Sequence, residues 1–256
     1  MRSIVIIPTY NERDNLVPLV RAVLAVAPAL DVLLVDDNSP DGTGALADDL
    51  ARETNRVRVL HRASKQGLGT AYVAGFRYAL AHDYAYIVQM DADFSHRPED
   101  LPRLLRVAAR SDVVIGSRAV SGGRVENWSP LRHLISKGGS LYARTLLSLP
   151  IKDCTGGFKV FHREALAALD LGRVRSNGYA FQVEMSHLCH RAGLRMVEVP
   201  IVFPDRTAGH SKMSRAIVIE AAALVWCLRR TPSPHPRNDR GRAVPHLDHI
   251  RIADRP

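Results

Sequence analysis

The chain has 256 residues, 46% of them hydrophobic, which is enough for one large core or two small ones in an ordinary globular protein. Thirty-five Lys and Arg against 26 Asp and Glu give a formal charge of +9, which favours anionic partners (nucleotide, phosphate, nucleic acid or anionic membrane) without choosing among them. Cys154, Cys189 and Cys227 are odd in number, far apart and without a C-x-x-C pair, so neither a disulfide framework nor a zinc site is indicated and a reducing compartment is expected.

Met1-Arg2-Ser3 runs straight into Ile4-Val5-Ile6-Ile7-Pro8. An apolar run this short, broken by proline, reads as a buried strand rather than a secretion signal, so the chain is expected in the cytoplasm. Leu16, Leu19, Val20, Val23 and Leu24 recur at helical spacing up to Pro28. A second strand over 32–35 ends in Asp36-Asp37, which completes a β-α-β unit. The turn formers of 38–43 lead into a helix over about 43–54, then a strand near 57–60. Lys65-Gln66-Gly67-Leu68-Gly69-Thr70 opens a helix reaching about His82; it lacks the phosphate-cradling spacing of a P-loop and is foremost a turn and helix start, with Lys65 near any anion bound there.

Tyr86 to Met90 is the next strand, and it delivers Asp91 and Asp93 to its exposed end. Ligands of open α/β sheets gather beyond the carboxyl ends of the strands, and the i, i+2 spacing lets both acids turn toward one hard divalent cation. The competing reading has Asp93 capping the helix that begins near Arg97-Pro98-Glu99, with Asp91 in a solvated loop. A helix near 98–109 and a strand over 113–116 follow, the strand carrying Ser117 and Arg118 to the same rim. Strand and helix alternate throughout, as in a mostly parallel sheet with right-handed crossovers.

Residues 121–129 show no apolar period and read as a mobile loop beside the site. The stretch 131–149 is helical, with Arg132 and Ser136 one turn apart. A glycine-rich loop, Asp153 to Phe158, enters a strand. A helix over about 180–191 carries Glu184, which is either a lining residue or a surface acid. A strand over 196–199, a polar loop over 204–212 and a helix over about 214–230 complete the ordered elements. The last helix is apolar nearly all round between basic flanks. Beyond Thr231, prolines and scattered arginines read as a disordered basic tail, 231–256.

Five motifs in order are more specific than any one of them. Ile6-Ile7-Pro8-Thr9-Tyr10-Asn11-Glu12, Val35-Asp36-Asp37-Asn38-Ser39-Pro40-Asp41-Gly42-Thr43, Met90-Asp91-Ala92-Asp93-Phe94-Ser95-His96, Gly116-Ser117-Arg118 and Asp153-x-Thr155-Gly156-Gly157-Phe158-Lys159 resemble the inverting family-2-type glycosyltransferases of GT-A fold. Over about residues 4 to 230, the form of the second motif and Arg206-x-x-Gly209-x-Ser211-Lys212 most resemble the polyprenyl-phosphate (dolichyl-phosphate) mannose synthases. The resemblance implies an α/β, Rossmann-like single catalytic domain over 1–230. Its nucleotide-binding half spans about 1–118 and its acceptor half about 119–213, with an interfacial helix over 214–230.

It also implies transfer of mannose from GDP-mannose to a polyprenyl monophosphate with inversion, by a peripheral enzyme on the cytosolic membrane face. There is room for a separate membrane-anchoring protein partner. Pro8, Tyr10, Glu12 and Asp37 would wrap the nucleoside, with Lys65, Asp91 and Ala92 completing the donor side. Asp91 and Asp93, with Ser95 where some relatives carry a metal-ligating glutamine, would hold Mg²⁺ or Mn²⁺. Arg118, Arg132, Ser136, Arg206 and Lys212 would bind and aim the acceptor phosphate, arginine because its fork matches phosphate oxygens. Glucose from UDP-glucose would use the same scaffold. Nucleic-acid binding, the remaining partner class for a basic chain, is disfavoured by an aromatic fraction of 6% and the lack of a recognition motif.

Overall fold

In the computed structural model, residues 2–176, 178–205 and 215–230 are described, without the side chains of Leu131, Tyr179 and 215–221. The expected tail, together with Arg206, Ser211 and Lys212, lies outside the described residues.

β1 (Ser3–Thr9), α1 (Arg13–Val26), β2 (Leu30–Asp36), α2 (Thr43–Glu53), β3 (Val57–His61), α3 (Leu68–Ala81) and β4 (Tyr86–Gln89) alternate as the periodicity predicts. A 3₁₀ turn, Pro98–Asp100, leads into α4 (Leu101–Ala108) and β5 (Val113–Ser117). The chain continues through β6 (Arg124–Val125), α5 (Pro130–Leu147), β7 (Lys159–His162), α6 (Arg163–Ala167), α7 (Gly178–Arg191), β8 (Met196–Pro200), β9 (Val202–Phe203) and α8 (Arg215–Arg230). Seven strands form one sheet in the order β3-β2-β1-β4-β7-β5-β8, parallel throughout except for β7, which runs antiparallel to both neighbours. This is a single α/β domain with a mixed, mostly parallel sheet.

The pleat divides the core. Ile4 and Ile6 of β1, with Leu33 and Val35 of β2, face a layer containing Tyr72, Phe76, Phe161 and Phe181. Val5 and Ile7, with Val32 and Leu34, face α1, α2 and α4. Both faces are covered, which is why these strands are continuous apolar runs rather than alternating ones. α3 presses close on β1: a Cβ on Gly75 would sit 2.4 Å from Ile6 Cγ2, so any larger residue forces helix and sheet apart.

One segment differs from expectation. The stretch 121–129 is not irregular throughout, because Arg124 and Val125 pair in parallel with Val202 and Phe203 in a second small sheet. Two-residue strands lie below the length at which periodicity shows. α8, expected as an interfacial helix, also packs on the core: Val225 is buried in it and Leu228 lies against it, while Trp226 is 44% exposed. Among the described residues no helix is long and apolar enough to cross a membrane.

Candidate active site

The carboxyl ends of β1, β2, β4 and β5 meet at one rim of the sheet, and among the described residues Pro8, Asp37, Asp91, Asp93 and Arg118 lie at those ends or in the loops leaving them. On the β1–β2 side, acids are held by nearby donors. Asp36, 2% exposed, accepts from Thr9 Oγ1 (3.1 Å), Ser39 N (3.1 Å) and Ser39 Oγ (2.6 Å). Asp41 accepts from Thr43 N (3.0 Å) and Thr43 Oγ1 (2.6 Å); burial would raise its pKa, but these bonds and the Arg13 amide outweigh it and hold the carboxyl below its usual range. Asn11 and Asn38 bend the two loops with φ of 59° and 58°, a left-handed conformation that asparagine tolerates.

Asp37 accepts from Arg62 Nη1 (2.6 Å) and Gln66 N (3.3 Å), so both oxygens already have protein donors, although a carboxylate retains further lone pairs. Glu12 Oε2 accepts from Asn15 Nδ2 (3.0 Å). Pro8 is buried within β1, and Lys65 places its ammonium 3.6 Å from the centre of the Tyr10 ring, a cation–π contact at the mouth of the site.

At the end of β4, Asp91 Oδ1 accepts from the buried Tyr72 hydroxyl (2.6 Å), and the Asp91 amide donates to His96 Nδ1 (2.9 Å). His96 is 1% exposed and stacked on Phe158; burial pushes its pKa down, and the accepting Nδ1 makes it a neutral imidazole carrying its proton on Nε2. Ala92 is buried between the acids. Asp93 does not cap the following turn, which has Arg97 at its cap position and no side-chain cap. Asp93 Oδ1 instead accepts from Ser95 N (3.1 Å) and Ser95 Oγ (2.5 Å).

Ser95, expected as a metal ligand, directs its hydroxyl proton at Asp93 and is 2% exposed, so it orients a carboxylate while its oxygen keeps lone pairs for a metal. Phe94 between them has φ of 61°, costly for a bulky residue and held by the flanking turn. Among the described residues no group of three or more His, Cys, Asp or Glu converges to hold a metal. Asp91 and Asp93 nevertheless fit a hard divalent ion that takes its remaining oxygens from ligand phosphates and water, the coordination Mg²⁺ commonly adopts.

The arginine side is built differently. Arg118, just after β5, is largely buried and gives its Nε (2.8 Å) and Nη2 (2.6 Å) to the two oxygens of Asp153, with Nη2 also reaching Thr155 Oγ1 (2.9 Å). Burial would raise the Asp153 pKa, but the Arg118 charge and hydrogen bonds overcome it and keep the carboxyl below its usual range. The expectation that Arg118 offers a whole fork to a phosphate is corrected: two of its nitrogens are committed to Asp153. Arg132 gives Nη1 to Asp205 (2.6 Å). Both guanidinium groups lie against Trp128, Arg132 at 4.1 Å and Arg118 at 5.5 Å from the ring centre, with Phe203 edge-on at 5.6 Å. Ser136 lies one helical turn from Arg132 and is partly exposed.

One loop joins the two sides. Asp153 grips Arg118, while a Cβ on Gly157 would lie 3.4 Å from Asp91 Oδ2, 3.2 Å from His96 Cε1 and 3.3 Å from Gln182 Nε2. Only glycine leaves that floor open. Glu184 is neither a lining residue nor a surface acid: buried, it accepts from Ser176 N (3.1 Å), Arg175 N (3.3 Å) and Ser176 Oγ. Arg62, Tyr72, Trp128, Asp153 and Gln182 went without an assigned role in the sequence. Gln182 alone carries a local signal, an amide between the apolar Phe181 and Val183.

The chain is similar to an undecaprenyl-phosphate mannosyltransferase of Micrococcus luteus, 50% identical over 225 residues covering 88% of this chain and 93% of the relative. It is 48% identical to a polyprenol monophosphomannose synthase of Mycolicibacterium smegmatis over 247 residues, covering 95% and 91%. In structure it is similar to a mannosyltransferase of Pyrobaculum calidifontis in complex with GDP-Man and Mn²⁺, with a TM-score of 0.61 and 16% identity over 91% of this chain and 66% of that one, a likeness of fold. The model of the family described as glycosyl transferase family 2 matches residues 4–170, and with these relatives it shows that the chain belongs to that family of glycosyltransferases.

Proposed function

We propose that the chain transfers mannose from GDP-mannose to a polyprenyl monophosphate, with inversion at the anomeric carbon. The observation that carries this reading is the single loop whose Asp153 holds Arg118 and whose Gly157 backs onto Asp91, because it puts a carboxylate pair and a phosphate-competent arginine cluster beside one floor. The similarity to the two curated relatives supports both the sugar and the acceptor.

In this reading Pro8, Tyr10, Glu12, Asp37 and Lys65 surround the nucleoside, and Asp91 and Asp93 hold a divalent cation, Mg²⁺ or Mn²⁺, beside the diphosphate. That ion supplies charge neutralisation for the leaving nucleoside diphosphate. Tyr72 and Ser95 fix the two carboxylates, and the neutral His96 fixes the Asp91 backbone. A phosphomonoester has a second pKa near ~6, so at neutral pH it is largely a dianion and needs no base to remove a proton. Its oxygen forms the new bond to the anomeric carbon while the bond from that carbon to the diphosphate oxygen breaks. Arg132, with Ser136 one turn on, binds and aims the acceptor; Arg118, charge-balanced by Asp153, acts as a fixed hydrogen-bond donor. Arg206 and Lys212 are assigned to the same phosphate from the family motif alone.

The membrane reading rests on α5, where Leu134 is 70%, Leu141 63% and Tyr142 41% exposed, next to Trp226 of α8. Such an apolar face beside a phosphate site suits an enzyme lying on the cytosolic surface of a membrane, where a separate anchoring protein would add to the attachment. Leu134→Glu with Leu141→Glu is expected to abolish flotation with anionic vesicles while leaving the fold intact; unchanged flotation defeats this placement.

The deciding experiment incubates purified protein, divalent metal and polyprenyl phosphate with labelled GDP-mannose or UDP-glucose and follows label into the organic phase. GDP-mannose alone is expected to yield labelled lipid. Label from UDP-glucose instead would make the enzyme a glucosyltransferase, and label from neither would overturn the reading.

A further inference from the structure

Gln182, on the first turns of α7, is 3% exposed, and among the described residues only its Oε1 has hydrogen-bond partners. Its Oε1 accepts from Lys159 Nζ (2.8 Å) and from Gln89 Nε2 (2.8 Å). The orientation is therefore not arbitrary. A lysine ammonium only donates, so the amide atom facing it is the oxygen, and Nε2 is forced to the opposite side. Lys159 cannot swing away, since it is fully buried and also donates to the Gly156 carbonyl (2.5 Å). Among the described residues Nε2 has no acceptor. It lies with Asp91 Oδ2 around one point, the position a Gly157 side chain would fill, at 3.3 Å and 3.4 Å respectively.

A buried amide pinned at its oxygen, with its donor turned to the open side beside a proposed metal-binding acid, is built for an acceptor that arrives with the ligand. We infer that Gln182 Nε2 donates a hydrogen bond to an oxygen of the transferred sugar, a hydroxyl or the ring oxygen, and that Lys159 is the positioning residue that prevents the amide from flipping. The inference rests on the proposed donor site. It goes beyond it by assigning a sugar contact and by separating sugar recognition from nucleotide recognition. The nucleoside and diphosphate contacts come from the ends of β1, β2 and β4, whereas this donor comes from α7 and reports only on what is attached beyond the diphosphate.

The test compares binding of GDP and of GDP-mannose, each with Mn²⁺, by calorimetry on the full chain and on Gln182→Glu and Gln182→Asn. Glutamate keeps an oxygen for Lys159 and removes the donor; asparagine keeps the amide but withdraws it by one methylene. Both variants are expected to bind GDP within about twofold of wild type and GDP-mannose roughly five- to tenfold more weakly, the scale of one hydrogen bond to a sugar oxygen. Equal weakening for GDP and GDP-mannose, loss of GDP binding in both variants, or no weakening in either overturns the inference. If wild type binds neither guanine ligand, the donor reading has failed instead, and the same comparison with UDP and UDP-glucose decides the role of Gln182.

Discussion

The two sides of the site hold their charged groups by different means. On the donor side, three acids have donors two or three residues away, Asp36 in Ser39, Asp41 in Thr43 and Asp93 in Ser95, while Asp37 and Asp91 lean on Arg62 and Tyr72, 25 and 19 residues off. On the acceptor side the arginines are tied across the fold, Arg118 to Asp153 and Arg132 to Asp205, separations of 35 and 73 residues. Three of the acids are thus poised by their own loops, while the arginines hold their geometry only when the whole domain is assembled. In the proposed reading, they pair with carboxylates that an incoming phosphate must share or displace.

The strongest way to break that contrast is to remove a long-range partner. Asp153→Ala leaves the Arg118 guanidinium buried without its counter-ion, and about 3–5 kcal/mol of unfolding free energy is expected to go, measured by denaturant titration. Wild-type acid stability reports the same pair. Because the folded Asp153 pKa lies below its unfolded value near ~3.9, its contribution is complete above that value and disappears as pH falls through the folded one. The variant's stability curve is expected to be flatter over that acidic window, and matching curves would mean the pair contributes nothing.

Next in size, Asp91→Asn and Asp93→Asn are each expected to lower turnover at least about a hundredfold without unfolding the domain, since metal stabilisation of a leaving group is worth several kcal/mol. Chelation of divalent ions with EDTA is expected to do the same reversibly. Full activity of either variant in a metal-free assay would remove the metal role.

Arg132→Ala is expected to raise the KM for lipid phosphate about tenfold and that for the nucleotide sugar less than twofold, and the reverse ranking would move Arg132 to the donor side. The smallest effect sharpens the contrast most. Asp205 is 37% exposed and, in the proposed reading, competes with the acceptor for Arg132, so Asp205→Asn is expected to lower the acceptor KM roughly two- to threefold, the scale of a partly solvated ion pair. A raised KM would make Asp205 an aid to phosphate binding and not a rival.

Much of the fold was legible because buried parallel strands are continuous apolar runs, and runs such as 4–7 and 32–35 need no long-range information. Asp91 and Asp93 stood out because a strand ending in acids is itself a local pattern. Asp153 and Trp128 did not: the first becomes the partner of Arg118 only through the sheet order, and the second becomes a shared platform for two arginines only when β6 pairs with β9. For Ser95 the residue type named a possible ligand, while its bond to Asp93 is settled by its neighbours. Gln182 needed Lys159, 23 residues away, to show which end of its amide faces the site.

α5 carries both Arg132 and the exposed Leu141, nine residues apart, or about 13 Å of helix axis. With the apolar face of that helix on the interface, as proposed, Arg132, only two residues from the exposed Leu134, meets phosphates at the height of lipid headgroups. Encounter with the acceptor is then a search in two dimensions. The rate would follow the mole fraction of polyprenyl phosphate in the surface, so adding inert lipid at constant acceptor would slow the enzyme although no bulk concentration had changed.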